Sequence, residues 1–154
     1  FNGERTPDLP NARGCVFGLS IRNTKQQNLL RSAVEGATFS LRFGVGELAR
    51  LGVDIGEIVV TGGGARSATW RQMVADVCGA PVSVLEQDEG AAFGAALQAL
   101  QLVDNGATIE ELVDAHLTKD EQRSCVPRAE AVDDYEDMYS NYMRAAKAVA
   151  ELYK

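Results

Sequence analysis

A chain of 154 residues is long enough for one domain with a buried core. Hydrophobic residues make up 45% and charged residues 24%, an ordinary balance for a globular protein. A formal charge of -7, a pI of about 4.7 and the lack of any basic stripe argue against nucleic acid or an anionic membrane surface as the main partner.

No apolar run approaches the roughly 20 residues of a membrane helix, and the first residues carry no leader pattern, so the expected location is cytoplasmic. Cys15, Cys78 and Cys125 are odd in number and lack metal-ligand spacing; they read as free thiols. His116 is the only histidine, which leaves little material for a zinc site or a histidine-based triad, and it reads as a polar residue near a helix end. The turn-rich opening at Phe1 raises the expectation of a piece of something longer.

Gly3, Pro7, Pro10, Gly14 and Gly18 divide residues 1–19 into turns and short extended pieces, with a brief strand expected at Val16 and Phe17. Arg5 and Arg13 are candidates for contacts to phosphate or carboxylate, against the simpler reading of solvated loop charges. From 25 to 51, Leu30, Ala33, Val34, Ala37, Leu41, Val45 and Leu48 recur at steps of 3 or 4, which predicts a long amphipathic helix. Gly36, Gly44 and Gly46 weaken it and suggest close packing against a neighbour, and Gly52 is a natural stop.

Ile58, Val59 and Val60 predict a strand buried on both faces, followed at once by Gly62, Gly63 and Gly64. Trp70, Met73, Val74, Val77 and Cys78 then fall on one helical stripe, with Ser67 or Thr69 as its cap. A glycine turn between strand and helix lets a planar or phosphorylated ligand approach the backbone near a donor-rich helix start. The alternative is a tight turn and nothing more, since the spacing matches neither the dinucleotide fingerprint nor the P-loop.

Val82, Val84 and Leu85 form the next predicted strand, giving a parallel βαβ unit. Glu86, Asp88 and Glu89 read either as metal or catalytic carboxylates or, preferably, as a negative cluster before the helix that starts at Gly90. The small residues Gly90, Ala91, Gly94, Ala95 and Ala99 would let that helix approach a neighbour or a ligand closely. Residues 107–116 predict a short helix with Thr108 and Glu111 as a capping box, and 118–128 a loop. A final helix over 132–153 aligns Tyr135, Met138, Tyr139, Tyr142, Ala146, Val149 and Tyr153 as a core face. The residues alone therefore predict a helix-rich α/β fold with a short parallel βαβ unit.

Four motifs in order add a resemblance. Gly3-Glu4-Arg5-Thr6-Pro7, the set Gly14, Val16, Gly18, Leu19, Asn28, Leu29, Ser32, Ala33, Val34 and Glu35, the turn Gly62-Gly63-Gly64-Ala65 with Ser67, Trp70, Arg71 and Gln72, and the small-residue run 90–96 resemble the C-terminal part of the FGGY family of carbohydrate kinases, xylulokinases in particular. The resemblance covers nearly the whole chain and is weakest over 103–134. It implies part of a ribonuclease-H-like domain of the actin, hexokinase and chaperone ATPase superfamily, with 1–154 as a single nucleotide-side domain. It also implies phosphoryl transfer from ATP, with magnesium, to a hydroxyl of a ketose, D-xylulose.

In such kinases the catalytic base and the sugar-binding domain lie upstream, so no catalytic and no metal-binding residue is assigned here, and the fragment alone is expected to be inactive. For the nucleotide the resemblance points to Gly62, Gly63, Gly64 and Ala65 as the backbone edge, and to Ala68 at a position that lies near adenine in relatives. Asp76 and Asp88 are set aside as bases, and Glu35 is expected to be a structural partner. A homodimeric parent is compatible with the resemblance. Two rival readings remain: a nucleotide-sensing or chaperone-like module of the same superfamily, and a structural domain whose glycine turn binds nothing.

Overall fold

The protein is described here by a computed structural model covering residues 3–4, 8–86, 90–103 and 106–153. The chain divides into two compact units, one of Phe1–Ile55, Asp76–Cys78 and Arg128–Lys154, the other of Gly56–Ala75 and Gly79–Pro127.

In the first unit the long predicted helix is α1 (Gln26–Arg50). It stops where the sequence places the stop. Gly52 takes a φ of 89°, its N–H donates to the Ala49 carbonyl at 2.9 Å, and the Val53 N–H donates to Leu48 at 3.1 Å. This is a Schellman end, which requires a left-handed residue and so favours glycine. The aromatic residues of α5 (Ala129–Ala150) pack on α1. Phe39 is buried, with the rings of Tyr135, Tyr139 and Tyr142 at centroid distances of 6.0, 5.8 and 5.2 Å. Arg42 lies 4.1 Å over the Tyr139 ring and pairs with Glu136. Glu35 is the structural partner it was expected to be: it takes Arg31 Nε at 2.8 Å and the Tyr135 hydroxyl at 3.0 Å.

Helix α5 begins earlier than the periodicity predicts, and the reason is remote in sequence. Asp76, fully buried, accepts the backbone N–H of Arg128 at 2.9 Å and the Arg128 guanidinium at 2.6 Å. A carboxylate thus sits at the start of a helix whose own first residues supply no side-chain cap. Three expectations fail in this unit. Val16 and Phe17 form no strand and are exposed, Met138 on the predicted core face of α5 is also exposed, and a Cβ built on Gly36, Gly44 or Gly46 meets nothing within 4 Å among the described residues. Glu4 and Leu9 pair as an antiparallel bridge, while Arg5, Thr6 and Pro7 lie outside the described residues.

In the second unit β1 (Ile58–Val60) and β2 (Val82–Val84) pair in parallel, with Ile58 opposite Val82 and Val60 opposite Val84. Val82, Ser83 and Val84 are buried, but Val59 is 48% exposed, so β1 is not buried on both faces as its β-branched run predicts. Between the strands runs α2 (Ala68–Cys78), most of whose residues are buried. Helices α3 (Gly90–Val103) and α4 (Ile109–His116) follow. The Thr108 hydroxyl accepts the Glu111 N–H at 3.2 Å and the Glu111 carboxylate accepts the Thr108 N–H at 2.9 Å, the predicted capping box. His116 is the last residue of α4.

The predicted loop 118–128 does more than connect. Cys125 bridges Val82 through two 2.9 Å bonds and Lys119 bridges Leu85, so this segment lines the outer edge of β2. Glu57 accepts from the Ser83 hydroxyl and, at 2.7 Å, from Lys119; these two bonds, Lys119 first, hold its carboxyl below the usual range. None of the three cysteines forms a disulfide, and among the described residues no helix is long and apolar enough to cross a membrane. Asp88 and Glu89 of the acidic cluster lie outside the described residues.

Candidate functional site

The parallel pairing sends β1 and β2 out of the sheet on the same side, and in open α/β folds ligands gather at the carboxyl ends of such strands. Beyond the end of β1 comes the glycine turn. Gly62 adopts φ 78° and ψ -166°, a region in effect reserved for glycine. A 3₁₀ turn, Gly63–Arg66, follows directly, a feature the sequence reading lacks. It is closed by the Ala65 N–H donating to Gly62 at 3.1 Å and the Ser67 N–H donating to Gly64 at 3.0 Å. Ser67, not Thr69, caps α2, its hydroxyl accepting the Trp70 N–H at 3.3 Å.

The first turn of α2 reaches back beneath this loop. The Trp70 ring lies under Gly64, where a Cβ would stand 2.5 Å from the indole. Arg71 is buried, and its guanidinium donates to the Ala65 carbonyl at 2.6 Å and to the Arg123 carbonyl at 2.8 Å. The Gln72 side chain donates to the Val126 carbonyl at 2.9 Å. The run 70–72 is therefore a brace that fixes the turn from below. The sequence offers only an arginine set between the stripe residues Trp70 and Met73; that its guanidinium is buried, and so demands acceptors, is seen in the structure alone.

Among the described residues nothing covers the upper side of the turn. Gly62, Gly63, Gly64 and Ala68 are exposed, and a Cβ on Gly62 or Gly63 would meet nothing within 4 Å. Ala65 is placed differently: 1% exposed, it forms the floor of the turn, with its N–H and carbonyl both engaged inside it. Ala68 opens α2, where a helix leaves backbone N–H groups without intrahelical partners.

Beside the turn lies a mainly apolar hollow of about 290 Å³, lined by Thr61, Leu85, Phe93, Leu97, Leu117 and the glycines of α3. A Cβ on Gly90 would meet Thr61 at 3.5 Å, an ordinary contact, whereas Ala91, Gly94, Ala95 and Ala99 are exposed and a Cβ on Gly94 meets nothing within 4 Å among the described residues, so the close approach expected of these small residues is confined to Gly90. Among the described residues no His, Cys, Asp or Glu group is arranged to hold a metal ion. Asp76 is spent on Arg128.

The family described as "FGGY family of carbohydrate kinases, C-terminal domain" matches residues 1–102. The chain is 38% identical over 143 residues to the xylulose kinase of Haemophilus influenzae, covering 93% of this chain and 29% of that protein. Its structure is similar to that of a ligand-bound xylulose kinase from Lactobacillus acidophilus, with a TM-score of 0.88 at 25% identity over 99% of this chain and 30% of the other. A gluconate kinase from the same organism, at 22% identity and a TM-score of 0.84 over 94% of this chain and 28% of the other, shares the fold. The chain thus spans about a third of the length of these relatives. It is a helix-rich α/β chain with a small parallel sheet, and it belongs to the FGGY family of carbohydrate kinases.

Proposed function

We propose that this chain is the nucleotide-side part of an ATP-dependent sugar kinase whose longer parent transfers the γ-phosphoryl group of ATP to a hydroxyl of a ketose, D-xylulose. The observation that carries the reading is the turn Gly62-Gly63-Gly64, braced from below and bare above, at the carboxyl end of β1. In this reading the three glycines offer their backbone edge to ribose and phosphates, Ala65 supports them, and Ala68 gives adenine an apolar contact beside α2.

The names of the curated relatives support D-xylulose, whereas the gluconate kinase shows that the fold by itself leaves the sugar open. The residues 1–154 then belong to one C-terminal domain of ribonuclease-H-like type acting in the cytoplasm. Magnesium, when bound, would neutralise charge on the transferring phosphates, and the described residues offer no carboxylate cluster for it. No residue of this chain is proposed as the catalytic base.

The test is product formation by the full-length parent with ATP, magnesium and a panel of ketoses, polyols and gluconate. Phosphorylated D-xylulose as the dominant product is the expected result. ATP binding without any phosphorylated sugar would overturn the kinase reading and favour a nucleotide-sensing module.

A further inference from the structure

Two arginines in series tie together the loops at the carboxyl ends of β1 and β2. Arg71, near the start of α2, donates from Nη1 to the Ala65 carbonyl at 2.6 Å and from Nε to the Arg123 carbonyl at 2.8 Å. Arg123 in turn donates from Nε to the Asp120 carboxylate at 2.6 Å and from Nη2 to the Leu85 carbonyl at 2.9 Å. Ala65 belongs to the turn that follows β1, and Leu85 is the first residue after β2. Asp120 is itself fixed to the end of β2, its N–H donating to the Val84 carbonyl at 2.8 Å. All of these residues lie in one compact unit of the chain.

Fold stability alone does not call for this arrangement. Arg71 is 8% exposed, and Met73, Val74, Ala75 and Val77 on the same helix are buried apolar residues. Burying a guanidinium forfeits hydration that an apolar side chain of like size would not lose, and replacing buried charge by well-packed apolar groups is often neutral or stabilising. An apolar residue cannot hold two carbonyls in a set relation to one another, whereas the planar guanidinium, with its donors in a rigid fork, can. Both ends of the relay are parts of the candidate site. Ala65 is the floor beneath the three glycines, and Leu85 lines the apolar hollow together with Thr61.

We propose that Arg71 and Arg123 are positioning residues for the nucleotide: the relay sets the spacing between the glycine turn and the end of β2, so that the segment 120–123 governs nucleotide affinity without touching the ligand. That segment lies beyond residues 1–102, the part matched by the family. The inference rests on the reading of the glycine turn as a nucleotide site.

The experiment combines steady-state kinetics with calorimetric ATP titration on the full-length parent carrying Arg71→Gln, Arg71→Lys or Arg123→Gln. Thr108→Ala, which removes only the cap of α4, controls for destabilisation in the same unit. Arg71→Gln should weaken ATP binding and raise the KM for ATP about tenfold, the size of a lost charged hydrogen bond, with kcat and the KM for the sugar unchanged. Arg71→Lys keeps the charge without the fork and should recover only part of the affinity. Arg123→Gln leaves the Arg123 carbonyl in place but removes its anchor, and should weaken ATP about threefold. A merely structural role would lower kcat through loss of active enzyme while leaving both KM values and the ATP affinity unchanged, and that result overturns the proposal. Full recovery by Arg71→Lys, or a KM for ATP raised as much by Thr108→Ala, overturns it too. If Arg71→Gln does not fold, Arg123→Gln, on a partly exposed side chain, decides: ATP affinity equal to that of the unsubstituted parent sinks the relay. A parent that binds ATP equally well in every variant refutes the relay alone, whereas a parent that binds no ATP refutes the nucleotide reading of the turn and the relay with it.

Discussion

Gly63 and Gly64 are neighbours with opposite reasons to be glycine. At Gly64 a methyl group would run into the Trp70 ring, so Gly64→Ala must displace the indole brace; overpacking of this kind costs about 1–3 kcal/mol. A thermal melt should show a midpoint lowered by about 2–4 °C for each kcal/mol. Gly63 has open space and an ordinary backbone, so Gly63→Ala should leave the midpoint unchanged. Equal melting of both variants would contradict the brace. The cap was narrowed to Ser67 or Thr69, and the glycines were legible in the sequence, because both act locally. Arg71 was not, because its acceptors come from Ala65 and from Arg123, which lies in the segment beyond α4.

Charge at the residue scale gives a pH prediction. Lys119 and then Ser83 hold the Glu57 carboxyl below its ordinary value, and Arg123 does the same for Asp120. A depressed carboxyl contributes stability that is present above the unfolded value of about 4 and is lost as pH falls through the lower folded value. The urea midpoint of the unsubstituted chain should therefore fall more steeply between about pH 5 and 3 than that of Glu57→Gln. Because Glu57 keeps 35% of its side chain in water the difference is small, and parallel curves would contradict the assignment.

Among the elements, α1 and α5 depend on one aromatic. Phe39 touches three tyrosine rings and is 5% exposed, so Phe39→Ala should cost about 3–5 kcal/mol in a denaturant titration, against about 1 kcal/mol for Thr108→Ala, which removes only the cap of α4. A smaller loss for Phe39→Ala than for Thr108→Ala would contradict this ranking. The helices and β2 were legible because periodicity and caps are local signals. The start of α5 was not, since Asp76 supplies it from fifty-two residues away. The burial of β1 was overread, because a β-branched run reports what a strand is suited to and not which neighbours are present in the chain.

At the scale of the whole molecule, the order of motifs identified the family, while periodicity alone gave only a helix-rich α/β chain. In the proposed function the nucleotide meets one surface of this chain, the exposed edge of the glycine turn. The most direct measurement is a calorimetric titration of ATP into the full-length parent and its Gly63→Ala variant, with thermal midpoints recorded alongside. Affinity should weaken about tenfold or more with an unchanged midpoint, because the new methyl group would occupy the space through which the nucleotide approaches the backbone. Unchanged affinity at an unchanged midpoint would contradict it, since a ligand indifferent to Gly63 does not rest on this turn.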